Sequence, residues 1–408
     1  MAIIRKWLGA LATVVATFSM VFFAGSSSVA AAPSGAPIVI GGTLSLTGPF
    51  AESGQQYYLV DKYWVNQINK DGGLLGRPVK LIIYDDQSDP TTCTALYQKL
   101  INTDHVNFLL APYSTYLGAP VLPIALSNHM MLWNYGFVGE SLFDQAKGMM
   151  ITTYNYQDNQ YSYGLFQVLN SLPKSERPTK LAVLTDQNPF TLAVLSGVPG
   201  DYGSFVQYAK HYGYQIVMNQ QYPATTTNFT SLVQQAKLAG ADGLVALSLP
   251  TDALDIARTV GQLGYKPKVE FFGGSQVTTL PNWSSLGAAA DGTLSTTVAM
   301  PNEHFNGLST ITALFQKNGV NVLPSYAASA YALFQILQTA VTATHSLNQV
   351  TVDKYVLSHQ FNTAIGKIRY KKNGTLPFNS LVVQYVNGKN VVVWPAKYAT
   401  GKFVTPLP

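Results

Sequence analysis

Val39-Ile40-Gly41-Gly42-Thr43-Leu44-Ser45-Leu46-Thr47-Gly48-Pro49 is the stretch on which the fold turns. Residues 39–46 read as a β-strand, and Thr47-Gly48-Pro49 as the loop that ends it. After it, Tyr57, Val60, Trp64 and Ile68 recur at helical spacing, and Asp71-Gly72-Gly73 stops that helix. The spacing then predicts a strand over 79–84, a helix over 90–104, a strand over 108–113 and a helix over 115–128. Near-continuous apolar strands alternating with helices are what a parallel sheet covered on both faces requires, because each crossover lays a helix over the sheet.

The same pattern restarts downstream. Strands are predicted over 181–185, 215–218, 244–248 and 269–272, with a helix over 201–212. Asn228 is expected to cap a helix that turns Phe229, Leu232, Val233 and Ala236 to one face, with Gly240 just past its end. Ala253, Ile256, Ala257 and Val260 mark another helix, stopped at Gly264. The chain therefore holds two doubly wound α/β units, repeated in architecture and not in sequence. In the last third, Tyr326, Ala330, Leu333, Phe334, Leu337 and Val341 make a long helix, and 351–359 a shorter one. Residues 381–386 and 391–394, joined by Asn387-Gly388-Lys389-Asn390, read as a β-hairpin.

The 408 residues suffice for two domains, and the composition says what they do not do. Charged residues make up 11% against 47% hydrophobic, so the chain has ample apolar surface for a core. The formal charge of +5 arises from few acids, and no Lys/Arg cluster offers a nucleic-acid surface. The single cysteine, Cys93, excludes an intramolecular disulfide and reads as a small core hydrophobe. Six scattered histidines give no metal-ligand spacing, and no G-x-S-x-G elbow, P-loop or G-x-G-x-x-G occurs. Asp85 and Asp86 are strand neighbours facing opposite ways, which suits turn or cap roles and not a shared catalytic one. No catalytic residue, cofactor or metal is expected.

The N-terminus carries an export signal. Arg5 and Lys6 precede an apolar run over 7–24, followed by Ser26-Ser27-Ser28 and Val29-Ala30-Ala31-Ala32. Eighteen apolar residues also approach a membrane span, but the small residues before Pro33 favour cleavage near Ala32. Residues 1–32 are read as a signal peptide and the mature protein as periplasmic.

Five stretches, in order, carry a family resemblance. They are Gly42-Thr43-Leu44-Ser45-Leu46-Thr47-Gly48-Pro49, Ile68-Asn69-Lys70-Asp71-Gly72-Gly73, Tyr84-Asp85-Asp86 with Asp89-Pro90, Ala111-Pro112-Tyr113-Ser114, and Asn390-Val391-Val392-Val393-Trp394-Pro395 with Tyr398-Ala399-Thr400. Over about 37–404 the chain resembles the solute-binding proteins of branched-chain amino acid (leucine/isoleucine/valine-type) ABC importers. The resemblance implies a type I periplasmic binding protein: two Rossmann-like lobes joined by three hinge crossings, with ligand in the cleft between them. Lobe one would hold 37–154 and 298–374, and lobe two 155–297 and 375–408. The crossings would fall near 154–156, 296–298 and 375–378. The partner it implies is a membrane permease, which meets the closed, loaded form.

Candidate contacts follow from both readings. Tyr113-Ser114-Thr115-Tyr116 leaves a strand and opens a helix, which is where open α/β sheets bind ligands. Its free N–H groups and hydroxyls suit a carboxylate, although Ser114 or Thr115 as a plain helix cap is the bland alternative. Asn134, Tyr135 and Gly136 end the next strand on the same edge, where simple aromatic packing competes. The resemblance adds Phe50 and Ser53 in a first contact loop, Phe190 as an aromatic clamp, Leu249, Ser275 with Gln276, and Tyr326. It also exposes two departures. Ser275 stands where the family's amino acid binders carry the carboxylate that holds the ammonium group, and Val138 where they carry a hydroxyl. A buried ammonium without a counter-charge is costly. The expected ligand is thus an aromatic or hydrophobic carboxylic acid, with a branched-chain amino acid as the alternative if Asp186 or Asp252 supplies the missing charge. The competing functions are a ligand receptor for a membrane sensor and, further off, a secreted hydrolase.

Overall fold

The computed structural model describes residues 32–198, 203–273, 276–299, 304–320, 325–378 and 380–405. The leader expected over 1–32 lies outside them but for its last residue, and so does Ser275.

Strand β1 (Ile38–Leu44) pairs in parallel with β2 (Val79–Asp85) on one side and β3 (Phe108–Leu110) on the other. Its glycines permit close packing: a Cβ on Gly41 would sit 2.5 Å from the Val106 side chain, and one on Gly42 2.9 Å from Leu110. Helices α1 (Ala51–Lys70) and α2 (Pro90–Asn102) make the crossovers. Asp89 starts α2 by accepting the Thr92 N–H at 2.7 Å, with Pro90 in the first turn. Asp85 and Asp86 hold turns. Asp85 accepts the N–H groups of Leu46, Thr47 and Gln87, and Asp86 the hydroxyls of Thr43 (2.8 Å) and Ser45 (2.6 Å). After α3 (Thr115–Ser127), β4 (Leu132–Asn134), α4 (Glu140–Ala146) and β5 (Met150–Thr152), the sheet reads β2-β1-β3-β4-β5.

The chain then passes to a second sheet through α5 (Tyr163–Ser171). There β6 (Lys180–Asp186), α6 (Pro189–Ser196), α7 (Phe205–Tyr212), β7 (Gln215–Tyr222), α8 (Thr230–Leu238), β8 (Gly243–Leu247), α9 (Pro250–Gln262), β9 (Val269–Gly273) and β10 (Leu294–Thr297) repeat the winding as β7-β6-β8-β9-β10. Helices α10 (Leu308–Lys317), α11 (Ser325–Thr344) and α12 (Gln349–Ser358), with the hairpin β11 (Gln360–Thr363) and β12 (Gly366–Arg369), return to the first sheet's side. The join is aromatic: Trp64 of α1 stacks on Phe334 of α11 at 4.5 Å between ring centroids. Finally β13 (Leu381–Val386) extends the second sheet antiparallel to β10, and β14 (Lys389–Trp394) pairs antiparallel with β13 at the edge. Among the described residues no helix is long and apolar enough to cross a membrane.

Two local readings change. Phe229, not Asn228, is the N-cap of α8, although Asn228 still accepts the Thr230 N–H at 3.0 Å. The last hairpin closes in two residues, Asn387 (φ +49°) and Gly388 (φ +78°), so Lys389 and Asn390 belong to the strand.

Candidate functional site

Both sheets reverse their strand order once, between β1 and β3 in the first and between β6 and β8 in the second. Ligands of open α/β sheets bind outside the strand ends at such points. Here the two points face one cavity. The first side contributes Tyr113, Ser114 and Thr115 after β3, Gly136, Phe137 and Val138 after β4, and Tyr326 from α11. The second contributes Phe190 after β6, Leu249 after β8 and Gln276 after β9. Tyr154 and Tyr156, between the sheets, complete the lining. The space open to water centres is about 40 Å³, enough for roughly three waters and the scale of one small ring or branched chain.

One end of this cavity is formed by the start of α3. Ser114 is held at φ +77°, where a non-glycine residue is strained, by its N–H donating to the Gly136 carbonyl at 2.9 Å. That turn aims the first turn of α3 at the cavity, with the partial positive charge of a helix N-terminus. Ser114 Oγ accepts the Tyr116 N–H at 3.3 Å, so it also caps the helix. The Thr115 hydroxyl, expected to face ligand, instead donates to the Val138 carbonyl at 2.8 Å. Thr115→Ala therefore removes a strut of the wall: the expected cost is about 1 kcal/mol of stability, read by denaturant titration, with ligand affinity falling less than threefold. A tenfold affinity loss at unchanged stability would show the hydroxyl bonding ligand directly.

The rest of the described lining is mostly aromatic and carries no charged side chain. Tyr113 and Tyr326 hydroxyls lie 3.0 Å apart, and Tyr57, beneath them, bonds the Tyr135 carbonyl (2.9 Å) and the Tyr154 hydroxyl (2.6 Å). Burial pushes the Tyr154, Tyr156 and Tyr326 phenols well above the usual range, so they remain neutral hydrogen-bonding groups. Gln276 Nε2 donates to the Tyr156 hydroxyl at 2.9 Å. The sides also meet directly: α3 touches α6, and the Asn282 amide donates to the Glu52 carboxylate at 2.5 Å.

Of the expected residues, Tyr113, Ser114, Thr115, Gly136, Phe190, Leu249, Gln276 and Tyr326 line this cavity. Five others do not. Tyr116 points to solvent from the second position of α3, 40% exposed. Asn134 is spent on a turn, accepting the N–H groups of Gly136 and Phe137 at 2.9 Å each. Tyr135 is turned inward, stacked on Tyr57 at 4.7 Å and donating to Asp61 at 3.0 Å. Phe50 backs Tyr113 edge-on at 5.6 Å, and Ser53 is buried in α1. Neither acidic alternative reaches the cavity: Asp186 accepts from Asn188 (2.9 Å) and Asp252 from Tyr222 (3.2 Å). The reading by residue missed Phe137, Tyr154 and Tyr156 as lining groups, and Val138 was noted only as a departure.

Two facing α/β lobes around a small cleft define a solute-binding protein. The periplasmic binding protein family model matches residues 37–390, and the chain belongs to that family. Among curated relatives, Leu/Ile/Val-binding protein homolog 7 of Brucella abortus (strain 2308) is 22% identical, over 92% of this chain and 96% of that protein. Two solved structures share the fold. The leucine binding protein LivK of Thermotoga maritima has a TM-score of 0.75 at 17% identity, over 87% of this chain and 97% of that one. An R. palustris ABC transporter solute binding protein in complex with benzoate has a TM-score of 0.77 at 14% identity, over 91% and 98%.

Proposed function

We propose that this chain captures a small aromatic or hydrophobic carboxylate for an ABC importer, delivering it to a membrane permease after export and removal of a leader near Ala32. Residues 37–154 with 298–374 form one lobe and 155–297 with 375–408 the other, and the lobes close on the ligand by hinging near 154–156, 296–298 and 375–378. The carrying observation is the lining of the cleft: rings of Tyr113, Phe137, Tyr154, Tyr156, Phe190 and Tyr326, a helix N-terminus, and no charged side chain among the described residues. The carboxylate would sit at the start of α3, and the ring or branched body between Phe190 and the tyrosines, where aromatic pairing adds about 0.5–1.5 kcal/mol per contact beyond area burial.

An α-ammonium group would meet only neutral hydroxyls and an amide there, a poor exchange for its hydration. The two solved structures, a leucine binding protein and a complex with benzoate, mark the two sides of this choice. Calorimetry of the mature protein against benzoate, phenylpropanoids and leucine decides it. The expected result is micromolar binding of an aromatic acid, about −8 kcal/mol, and none of leucine. Micromolar leucine binding with no aromatic acid bound would overturn the ligand class.

A further inference from the structure

The side of the second sheet away from β6's neighbour α6 holds another cavity, and at its floor lies a carboxyl group with one buried oxygen that has no hydrogen-bond partner among the described residues. Strand alternation turns Val269 and Phe271 to one face of β9 and Glu270 and Phe272 to the other. On that other face Phe272 meets Trp283 edge-on at 5.1 Å, so α9 and the turns of residues 281–290 form the covering layer. This layer is incomplete. Gly261 and Gly264 at the end of α9 and Ala288 and Ala289 opposite leave an opening of about 190 Å³ to water centres, lined also by Tyr265 and Glu270.

Glu270 is only 7% exposed, the second residue of a strand whose other residues are buried. Its Oε2 is buried and has no hydrogen-bond partner, and no ion pair within the described residues includes it. An unpaired buried carboxyl costs several kcal/mol unless something that donates to it arrives or it keeps its proton. Burial alone pushes its pKa up to about 8. The groups around it do not serve as its partner: the Tyr265 hydroxyl donates to the Ala241 carbonyl (2.8 Å), and Asp291 accepts the Asn387 N–H (2.8 Å). Lys266 is at the mouth, and Asp242 beyond Tyr265 is paired with Lys268 at 3.4 Å.

We propose that this cavity is a second binding site, separate from the cleft, that takes a small organic ammonium ion on the Glu270 carboxylate. The ammonium supplies the donors and the charge that the buried oxygen lacks, and its carbon body lies against Tyr265 and the alanine and glycine walls, where an aromatic face also favours a cation. A metal ion fits less well, because no group of three or more metal-ligating His, Cys, Asp or Glu residues exists among the described residues.

The test is calorimetric titration of the mature protein with ethylammonium chloride, against potassium chloride as the salt control. At pH 8.5 the expected result is saturable ethylammonium binding that potassium does not reproduce, at least about tenfold weaker at pH 6.5, where the carboxyl keeps its proton. Glu270→Gln should abolish it, and Ala288→Trp, at an exposed position on the mouth, should weaken it about tenfold or more with the fold intact by circular dichroism. No saturable binding at pH 8.5, equal binding by potassium, or equal binding by the Glu270→Gln variant each overturns the proposal. None of these outcomes bears on the cleft, whose ligand test uses acids.

Discussion

The protein should unfold at a higher temperature at pH 5 than at pH 8.5. The cause is a set of carboxyl groups that the fold buries without a cation. Burial raises Glu270 to about 8 and Asp252 to about 7, the latter helped by the nearby Asp186 charge, and it raises Asp61 and Asp186 as well. An acid whose pKa is higher folded than unfolded holds its proton more tightly in the folded chain. Above about pH 4.5 the unfolded chain has released the Glu270 and Asp252 protons, while the folded chain holds them up to about 8 and about 7, so stability is present at the acid side and is lost as pH rises through those folded values. Raising Glu270 to about 8 and Asp252 to about 7 is worth at most on the order of 4 kcal/mol apiece. Even half of that total should lower the melting temperature by at least about 5 °C between pH 5 and pH 8.5. Asp85 and Asp89 are shifted the other way and act only below about pH 4, outside this window. Glu270→Gln should remove much of the slope. A melting temperature that is flat or rising from pH 5 to 8.5 refutes the account.

What the sequence made legible was whatever repeated. The helix of Tyr57, Val60, Trp64 and Ile68 and the parallel strands were readable because their buried faces keep a period of 3.6 or an unbroken apolar run. Strand β10 escaped because it is Leu-Ser-Thr-Thr. Its hydroxyls are tolerated in the interior by being paired, Ser295 with Thr278 at 2.5 Å and Thr296 with the Tyr161 carbonyl at 3.2 Å, and no hydropathy pattern announces such pairing. Helices α4, α5, α6 and α10 were passed over as well; at seven to ten residues each they offer few turns for a period to establish itself.

The site was legible to the extent that it sits at strand ends. Tyr113 and Ser114 follow β3, a position that topology alone marks, whereas Phe190 and Leu249, after β6 and β8, were implied by the family resemblance. Which way a side chain turns there is another matter. Tyr135 and Tyr113 look alike in sequence, yet Tyr135 is drawn under the wall by Asp61 and Tyr57, while Tyr113 remains at the surface of the cavity. Tyr154 and Tyr156 lie in an irregular segment without periodicity, and their role depends on the Tyr57 and Gln276 partners, which are distant in sequence.

The remaining prediction tests how the wall at the start of α3 is assembled. Gly136→Ala should destabilise the protein by about 1–3 kcal/mol and weaken ligand binding more than tenfold. The glycine is not needed here for a left-handed turn; it is needed for space. A Cβ at this position would lie 2.2 Å from the Pro112 carbonyl oxygen and 3.0 Å from the Tyr113 Cα, both backbone atoms that cannot swing aside as a side-chain tip can. The same glycine accepts the Ser114 N–H that keeps Ser114 in its strained conformation, and its own N–H is held by Asn134. To admit a methyl group, the 112–114 segment must move away from residue 136, which breaks the Ser114 bond, lets Ser114 relax, and turns the first turn of α3 off the cavity. Affinity should therefore fall by more than the loss of global stability explains, because the end of the cleft proposed to hold the carboxylate is displaced even in molecules that remain folded. Titration calorimetry and thermal melting on the same preparation separate the two effects. An alanine variant that melts lower yet binds its acid as tightly as the parent would show that the start of α3 does not hold the carboxylate.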